Sequence, residues 1–312
     1  MKAAQITTFG HADAIAVVDV DQPTIADDQV LVEVHASSLN PFDTMVREGY
    51  LKDNPALTLP FTLGGDIAGV ITEVGSGVPN FKAGDKVYGQ ANKIAGNSGA
   101  LAEFAGTKAE QLATFPESLS FDEAASLPLV GVSAVQALTE HLDLQKGQKL
   151  FVHGGAGGIG SLAVQIAKHL GAYVAATATG DGIDFVKQLG ADVVIDYKAT
   201  EFSTVLKDFD AVFELAGGKE FDKCLEVLKK GGKAVSMNAE PNEALAKEKG
   251  VTALTQWTQV TTERLEKLSQ LVADGVISAH VDQTYNLDDI QKAFEARESG
   301  AIKGKIVIHI KD

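Results

Sequence analysis

The glycine-rich segment at residues 152–160, VHGGAGGIG, constrains the fold of this chain more than any other feature. The residues just before it, 150–153, form a short apolar run that is typical of a buried strand. After it, apolar residues recur at helical spacing from Ile159 to Leu170, and Gly171 is placed to end that helix. The segment therefore predicts a tight turn between a buried strand and a helix.

Within this turn, Gly155, Gly157 and Gly160 fit the pattern G-x-G-x-x-G. Such glycines permit the sharp turn, the approach of a pyrophosphate and close helix packing, while the helix N-terminus attracts the anion. We therefore predict a dinucleotide-binding turn, against the alternative of a glycine turn with a structural role alone. The residues predicted to contact the cofactor here are Gly155, Ala156, Gly157, Gly158 and Ile159.

The second half of the chain predicts a doubly wound parallel sheet, because short apolar strands alternate with amphipathic helices. The candidate strands are residues 150–153, 174–177, 193–195, 211–214 and 234–236. A length of 312 residues exceeds what one core usually organises, so we expect two domains and an α/β fold class.

The first third of the chain has a different pattern. Residues 30–34 alternate and residues 67–74 are rich in β-branched side chains, and turn residues separate the candidate strands. This pattern predicts an antiparallel, barrel-like domain that ends near residue 120. Further on, residues 263–273 and 287–298 are predicted helices, and residues 305–310 are a predicted last strand.

The net charge of the chain disfavours some classes of binding partner. The formal net charge of -15 repels nucleic acids and anionic membranes, so we expect a small-molecule partner.

The chain shows neither a secretory leader nor a run of 18 apolar residues, which predicts a cytoplasmic protein. The single cysteine, Cys224, predicts a reducing compartment and a buried helical residue rather than a catalytic thiol. The histidines are scattered and predicted to be surface or packing residues: His11, His35, His141, His153, His169, His280 and His309.

The end of the second predicted parallel strand bears on the choice of cofactor. NAD sites often carry an acidic residue there, whereas residues 174–179 read VAATAT. Thr177 and Thr179 are predicted to bind a 2′-phosphate, with solvent-facing turn residues as the alternative. Residues 173–186 contain neither Arg nor Lys to pair that phosphate, and Asp181 would repel it. We predict NADPH, with NADH as the alternative.

Several further segments, in order along nearly the whole chain, carry a family resemblance. They are MKAA at residues 1–4, NPFD at 40–43, LGGDIAGV at 63–70, VGSGV at 74–78, FKAGDKV at 81–87 and GKIVI at 304–308. With the glycine turn, they resemble the zinc-independent quinone oxidoreductases, the zeta-crystallin-like branch of the medium-chain dehydrogenase/reductase family.

The resemblance implies a GroES-like barrel as the catalytic domain, residues 1–122, followed by a Rossmann domain, residues 123–260. Residues 261–312 would return to the catalytic domain, and the cofactor would lie in the cleft between the two domains. Family members are commonly homodimers. Residues 233–258 are the predicted contact, because an edge strand of the Rossmann sheet can pair across a twofold axis.

The resemblance also implies that zinc is absent. Asn40 stands where zinc-dependent relatives have their first cysteine ligand, Gly65 and Asp66 replace a His-Glu pair, and Ser126 falls near the third ligand. A structural zinc site needs several thiolates, which one cysteine cannot supply. We therefore predict no metal and a reaction that needs none.

The implied reaction is hydride transfer from the nicotinamide to a quinone. Asn40 and Asp43 match the family's N-x-x-D residues and are predicted to position cofactor and substrate. Tyr50 is the nearest phenol and a candidate hydrogen-bond donor to the developing oxyanion. Many relatives have a tyrosine two residues after this aspartate, where the chain has Met45. Water is therefore the alternative proton source.

Other cofactor contacts are implied by the resemblance alone. Ser133 matches a hydroxyl residue beside the nicotinamide, although a helix N-cap is the alternative, and Tyr197 matches a residue near the adenine. Residues after the fourth and fifth parallel strands complete the predicted cofactor site: Ala216, Gly217, Ser236 and Met237.

Two other functions remain open at this point. An alkenal or enone reductase uses the same hydride donor and differs only in the pocket for the acceptor. A non-catalytic, crystallin-like protein would keep the nucleotide fold without turnover, and some relatives bind RNA, which the acidic charge disfavours.

Overall fold

The structure is a computed structural model that describes residues 1–218 and 220–312. The chain divides into two compact units. The first unit contains Met1–Leu129, Val260–Ala273 and Ala279–Asp312, and the second contains Val130–Gln259 and Asp274–Ser278. The segment after residue 260 therefore belongs mainly to the first unit.

Within the described residues, the strands are listed here in chain order. They are β1 (Lys2–Ile6), β2 (Ile15–Asp19), β3 (Gln29–Ser38), β4 (Phe61–Thr62), β5 (Asp66–Val74), β6 (Lys86–Gln90), β7 (Phe104–Lys108), β8 (Leu112–Thr114), β9 (Lys149–His153), β10 (Tyr173–Ala178), β11 (Val193–Asp196), β12 (Phe209–Glu214), β13 (Leu228–Ser236), β14 (Thr252–Thr255), β15 (Val281–Asn286) and β16 (Lys305–His309).

The helices follow the same order. They are α1 (Pro41–Arg47), α2 (Phe121–Ala125), α3 (Pro128–Val135), α4 (Gly158–His169), α5 (Gly182–Gln188), α6 (Phe202–Val205), α7 (Glu220–Glu226), α8 (Glu243–Lys249), α9 (Thr262–Ala273) and α10 (Ile290–Glu298), and a π-helical stretch, Gln136–His141, continues α3.

The first unit has a small sheet in the order β2-β1-β4 and a larger one in the order β15-β16-β3-β5-β6-β8. The long strand β3 joins the larger sheet together, because it pairs with β5 on one side and with both β16 and β7 on the other. Neighbouring strands are antiparallel except β15 and β16. The predicted antiparallel domain is confirmed.

The second unit contains a parallel sheet in the order β11-β10-β9-β12-β13-β14. Numbered from β9, this order is 3-2-1-4-5-6, which is that of dinucleotide-binding domains. The order reverses between β9 and β12, where open parallel sheets bind their ligands. The predicted strands and the helix from residue 159 are confirmed, and Gly171 follows the helix with a φ of 80°.

The core of the second unit is aromatic and aliphatic. Phe151, Phe202 and Phe221 belong to one buried cluster, and Cys224 lies in the same cluster without exposed surface. Burial raises the pKa of the Cys224 thiol well above its usual range. The prediction of a buried helical cysteine is confirmed.

Candidate active site

Asn40 lies in a buried polar cluster of the first unit. It precedes α1, whose first residue is Pro41. The Nδ2 atom of Asn40 donates to Asp66 Oδ2 at 2.8 Å, and its Oδ1 atom accepts from Lys305 Nζ at 2.5 Å. Both ends of the amide are thus engaged, which holds its plane in one orientation.

Asp66 and Lys305 begin strands β5 and β16, and both are buried. Asp66 accepts hydrogen bonds from Ser38 Oγ and from the backbone amide of Leu129, each at 3.0 Å. Lys305 donates to the carbonyl of Leu39 at 2.8 Å, and its Nζ lies 3.5 Å from Asp66 Oδ2. Buried charges persist only when they are paired and hydrogen-bonded, and each member of this pair is both.

Asp43 joins the same cluster through the backbone, because its Oδ2 accepts from the amide of Asn40 at 2.7 Å. Burial raises the pKa of Asp43 to about 6, and the hydrogen bond from Asn40 opposes this shift. A buried carboxyl that titrates near neutrality is suited to proton chemistry. The structure therefore brings the predicted residues Asn40 and Asp43 together.

Tyr50 lies in the turn after α1, and its side chain is 72% exposed. In the part of the chain that the structure describes, no hydrogen bond links its hydroxyl to Asn40 or Asp43. The predicted proton donor therefore stays a prediction. The cluster instead contains Lys305, to which the sequence analysis assigned no role. A lysine that directly precedes the apolar strand residues IVI was the available signal.

The glycine turn has the predicted strand–turn–helix form. Its three glycines differ in what a side chain at each position would contact. A Cβ atom at Gly155 would lie 2.9 Å from the Cβ of Ala176, and one at Gly160 would collide with the carbonyl of Gly154. A Cβ at Gly157 would meet nothing nearer than 3.8 Å. Packing within the protein therefore requires the outer two glycines but not the central one.

Gly157 is exposed at the N-cap of α4 and has no side chain with which to cap the helix. The amides of the first helical turn are therefore free of a side-chain cap and face an open approach, which fits a pyrophosphate. Ala156, Gly158 and Ile159 are half-buried around this position. The residues present thus fit a dinucleotide.

Thr177 has a different role from the one the sequence suggested. Its hydroxyl is buried, accepts from the amide of Gly154 at 2.9 Å and lies 2.7 Å from His153 Nδ1. Its carbonyl accepts from the amide of Gly155 at 2.9 Å. Thr177 therefore fixes the first two residues of the glycine turn by hydrogen bonds. The half-buried Thr179 stays a predicted phosphate ligand.

Glu214 is a site residue that the sequence analysis missed. This buried carboxylate ends β12, accepts from the amide of Gly217 at 2.5 Å and accepts from Ser236 Oγ at 2.6 Å. Ser236 in turn accepts from the amides of Asn238 and Ala239. Glu214 thus fixes two predicted cofactor segments to each other. A carboxylate directly after the apolar residues 211–213 was the available signal.

The predicted residues Ala216 and Met237 follow the two strands that Glu214 links. Ala216 follows β12 and is exposed, whereas Met237 follows β13 and is half-buried. The backbone of Met237 donates to the carbonyl of Glu214 at 3.1 Å. The structure brings both residues to the carboxyl edge of the parallel sheet.

Ser133 lies inside α3 and is buried, so the alternative of a helix N-cap is wrong. Its hydroxyl lies 2.6 Å from Thr258 Oγ1, and its carbonyl accepts from Gln256 Nε2 at 3.1 Å. Residues 256–258 follow β14. Ser133 therefore lies beside the segment that leaves the last parallel strand.

Tyr197 is exposed directly after β11, and its amide donates to the carbonyl of Ala178 at 3.3 Å. The next residue is Lys198, whose amide donates to Asp196 Oδ1 at 3.0 Å. Lys198 is exposed. This lysine lies outside residues 173–186, and only the pairing of β11 with β10 relates it to the end of β10.

Across residues 1–218 and 220–312, no group of three or more His, Cys, Asp or Glu side chains is arranged to hold a metal ion. In the same ranges, we find no helix whose length and hydropathy would let it cross a membrane.

Comparison with known families matches two parts of the chain. Residues 26–117 match the alcohol dehydrogenase GroES-like domain, and residues 189–308 match the family described as zinc-binding dehydrogenase. The chain is also 36% identical to the 2-methylene-furan-3-one reductase of Solanum lycopersicum, over 99% of this chain and 79% of that protein.

Solved structures are similar to this chain along nearly its whole length. The quinone oxidoreductase of Coxiella burnetii superposes with a TM-score of 0.92 at 34% identity, covering 100% of this chain and 99% of that one. The chain belongs to the zinc-independent quinone oxidoreductase branch of the medium-chain dehydrogenase/reductase family. The Escherichia coli quinone oxidoreductase, solved in complex with NADPH, gives a TM-score of 0.90 at 28% identity, over 99% of this chain and 100% of that one. This member of the branch is an oxidoreductase with a GroES-like and a Rossmann domain, as predicted.

Proposed function

We propose that this oxidoreductase transfers hydride from NADPH to a quinone without zinc. The glycine turn carries the proposal, because the space above Gly157 is open although nothing in the protein requires a glycine there. Such a position is expected where a pyrophosphate approaches the backbone. The Escherichia coli relative with NADPH bound supports the same reading.

The preference for NADPH is supported by charge at the ribose end. Strand β10 ends without a carboxylate, and the exposed Lys198 follows Tyr197, whose amide donates to the carbonyl of Ala178 at the end of β10. We propose that Lys198 pairs a 2′-phosphate. Bound NADPH would supply the hydride. Ser133, Tyr197 and the backbone after β12 and β13 would hold the rest of the cofactor.

Reduction without zinc is supported by the charge of the Asn40 cluster. The Oδ1 atom of Asn40 and the Oδ2 atom of Asp66 already face the ammonium group of Lys305. That positive charge would repel a divalent cation from these oxygens. We propose that Asn40 and Asp43 orient the acceptor, whose conjugation spreads the charge that develops on oxygen.

A second candidate acceptor is an enone. The Solanum lycopersicum relative is described as a reductase of a 2-methylene-furan-3-one, a compound in which a carbon–carbon double bond is conjugated to a ketone. The same hydride donor serves both acceptors, so the choice rests on the acceptor pocket.

Steady-state rates with NADPH against an ortho-quinone, a para-quinone and a short enone test the proposal. We expect turnover of at least one quinone, and we expect a chelator to leave the rate unchanged. Separate fluorescence titrations should give a lower Kd for NADPH than for NADH. Inactivity with all three acceptors, or loss of the rate with the chelator, would overturn the proposal.

We further propose a cytoplasmic homodimer. Strand β14 is an edge of the parallel sheet and lies inside the predicted contact, residues 233–258. Unpaired edge strands tend to pair with a second copy. Light scattering coupled to size exclusion should give twice the mass of the chain, and a monomer at micromolar concentration would contradict it.

A further inference from the structure

Trp257, the one tryptophan of the sequence, lies in the segment after β14. In the single chain its side chain is 76% exposed, which makes it the most exposed of the large apolar side chains in the described residues. Trp257 also lies within residues 233–258, the proposed contact between two copies. Large aromatic side chains are usually buried, so an exposed indole calls for a reason.

The backbone that carries this indole is tightly held. The side chain of Gln256 is buried and donates to the carbonyl of Ser133, and the hydroxyl of Thr258 lies 2.6 Å from Ser133 Oγ. The amide group of Gln136 donates to the carbonyl of Trp257 at 3.4 Å. Both neighbours of Trp257 are therefore tied to α3. The exposed ring is presented from a fixed backbone rather than from a loose loop.

The topology brings Trp257 to the carboxyl edge of the parallel sheet. The glycine turn follows β9, Ala216 follows β12, Met237 follows β13, and Trp257 follows β14. The amide of Gln256 donates to the carbonyl of Ser236 at 2.8 Å. Trp257 thus lies on the edge that carries the predicted cofactor residues, beside Ser133, the residue predicted to contact the nicotinamide.

We propose that the indole of Trp257 forms one wall of the acceptor site and stacks on the ring of a quinone. This inference rests on the proposed function and adds a determinant of acceptor choice to it. A quinone is planar and electron-poor and an indole is electron-rich, so offset stacking between them is favourable. A short acyclic enone offers no ring to stack on.

Kinetics of two variants test the role in specificity. We expect Trp257→Ala to raise KM for an ortho-quinone about tenfold, the effect of losing one aromatic pair and its buried area. KM for the short enone should change by less than about threefold. Trp257→Phe keeps a ring and should restore most of the quinone affinity. Equal changes for both acceptors, or no change for either, would overturn the proposal.

Intrinsic fluorescence tests contact directly, because every tryptophan signal comes from this residue. With NADP⁺ bound, so that no reduction occurs, titration with the ortho-quinone should quench the emission along a saturating curve. The matched control is the double variant Trp257→Phe with Tyr173→Trp. Tyr173 is an exposed residue at the amino end of β10, so its quenching should be linear and collisional.

The outcomes separate the two proposals. If the wild type reduces none of the acceptors, the proposed function fails, whereas acceptor binding is still read from the fluorescence. If it reduces quinones but quenching is linear in both proteins, Trp257 lies away from the acceptor and the inference is wrong. A Trp257→Ala protein that becomes monomeric, with unchanged KM, would assign the indole to a contact between two copies and would also overturn the inference.

Discussion

The two candidate sites of this oxidoreductase are built in different ways. The Asn40 cluster is assembled from side chains that begin separate elements of the first unit, with Asn40 and Lys305 separated by 265 positions. The glycine turn of the second unit is formed by consecutive residues, and its proposed binding of the cofactor uses backbone amides and the open space at Gly157. We therefore expect a substitution in the cluster to lower both the free energy of unfolding and turnover. A substitution at Gly157 in the turn should lower cofactor affinity alone.

The largest effect is expected at Lys305. Replacing it in Lys305→Met leaves the carbonyl of Leu39, the Oδ1 atom of Asn40 and the carboxylate of Asp66 without their cation. Removal of one partner from a buried pair costs about 3–5 kcal/mol. We expect the free energy of unfolding in urea to fall by this amount, with loss of turnover. Lys292→Met, at an exposed lysine, should change it by less than about 0.5 kcal/mol.

A double variant sharpens this prediction. Because Lys305→Met leaves a buried charge unpaired, adding Asp66→Asn should recover part of the lost stability. The cycle of wild type, two single variants and the double variant measures the coupling between the two charges. Additive losses would mean that the pair does not hold the cluster together.

The next effect concerns pH. Burial raises the pKa of Asp43 from 3.8 to about 6 in the folded protein, so the folded state binds the proton more tightly than the unfolded state. Its contribution to stability is therefore complete below pH 4 and is lost as the pH rises through 6. Asp43→Asn cannot ionise and should be more stable than the wild type by about 3 kcal/mol at pH 7.

Measured at low pH, the two proteins should be equally stable, because the wild-type carboxyl is then protonated. Turnover of the variant should fall at every pH, since the predicted positioning residue has changed. Asp13→Asn, at an exposed carboxylate of the same unit, is the matched control. A stability difference that does not depend on pH would contradict the assignment to Asp43.

The same contrast explains what the sequence could predict. The glycine turn, the parallel strands and the end of the helix at Gly171 depend on local spacing, and all three are confirmed. Helix α1 was missed because its few residues show no repeated apolar face; its start depends on Asn40 and Pro41. Contacts that join remote segments, such as Asp66 with Lys305, leave no periodic pattern in the chain.

Charge at the ends of strands was the hardest feature to interpret. Glu214 becomes informative only once its contacts with Gly217 and Ser236 are known. Thr177 shows the converse, because a residue in the expected position for a ligand has its hydroxyl engaged by the turn itself. Local spacing predicts where the glycine turn lies, whereas tertiary contacts decide which side chains near it remain available to a ligand.

The smallest effect on stability and a selective effect on binding are expected at Gly157. Its φ of -75° suits any residue, and a Cβ there meets open space, so Gly157→Asp should fold normally and even cap α4. The new carboxylate would repel the pyrophosphate, and the Kd for NADPH should rise roughly 100-fold. Gly157→Asn has the same size without the charge and should lose much less affinity. Equal losses in the two variants would mean that bulk and not charge matters, and unchanged affinity in both would remove the turn from the cofactor site.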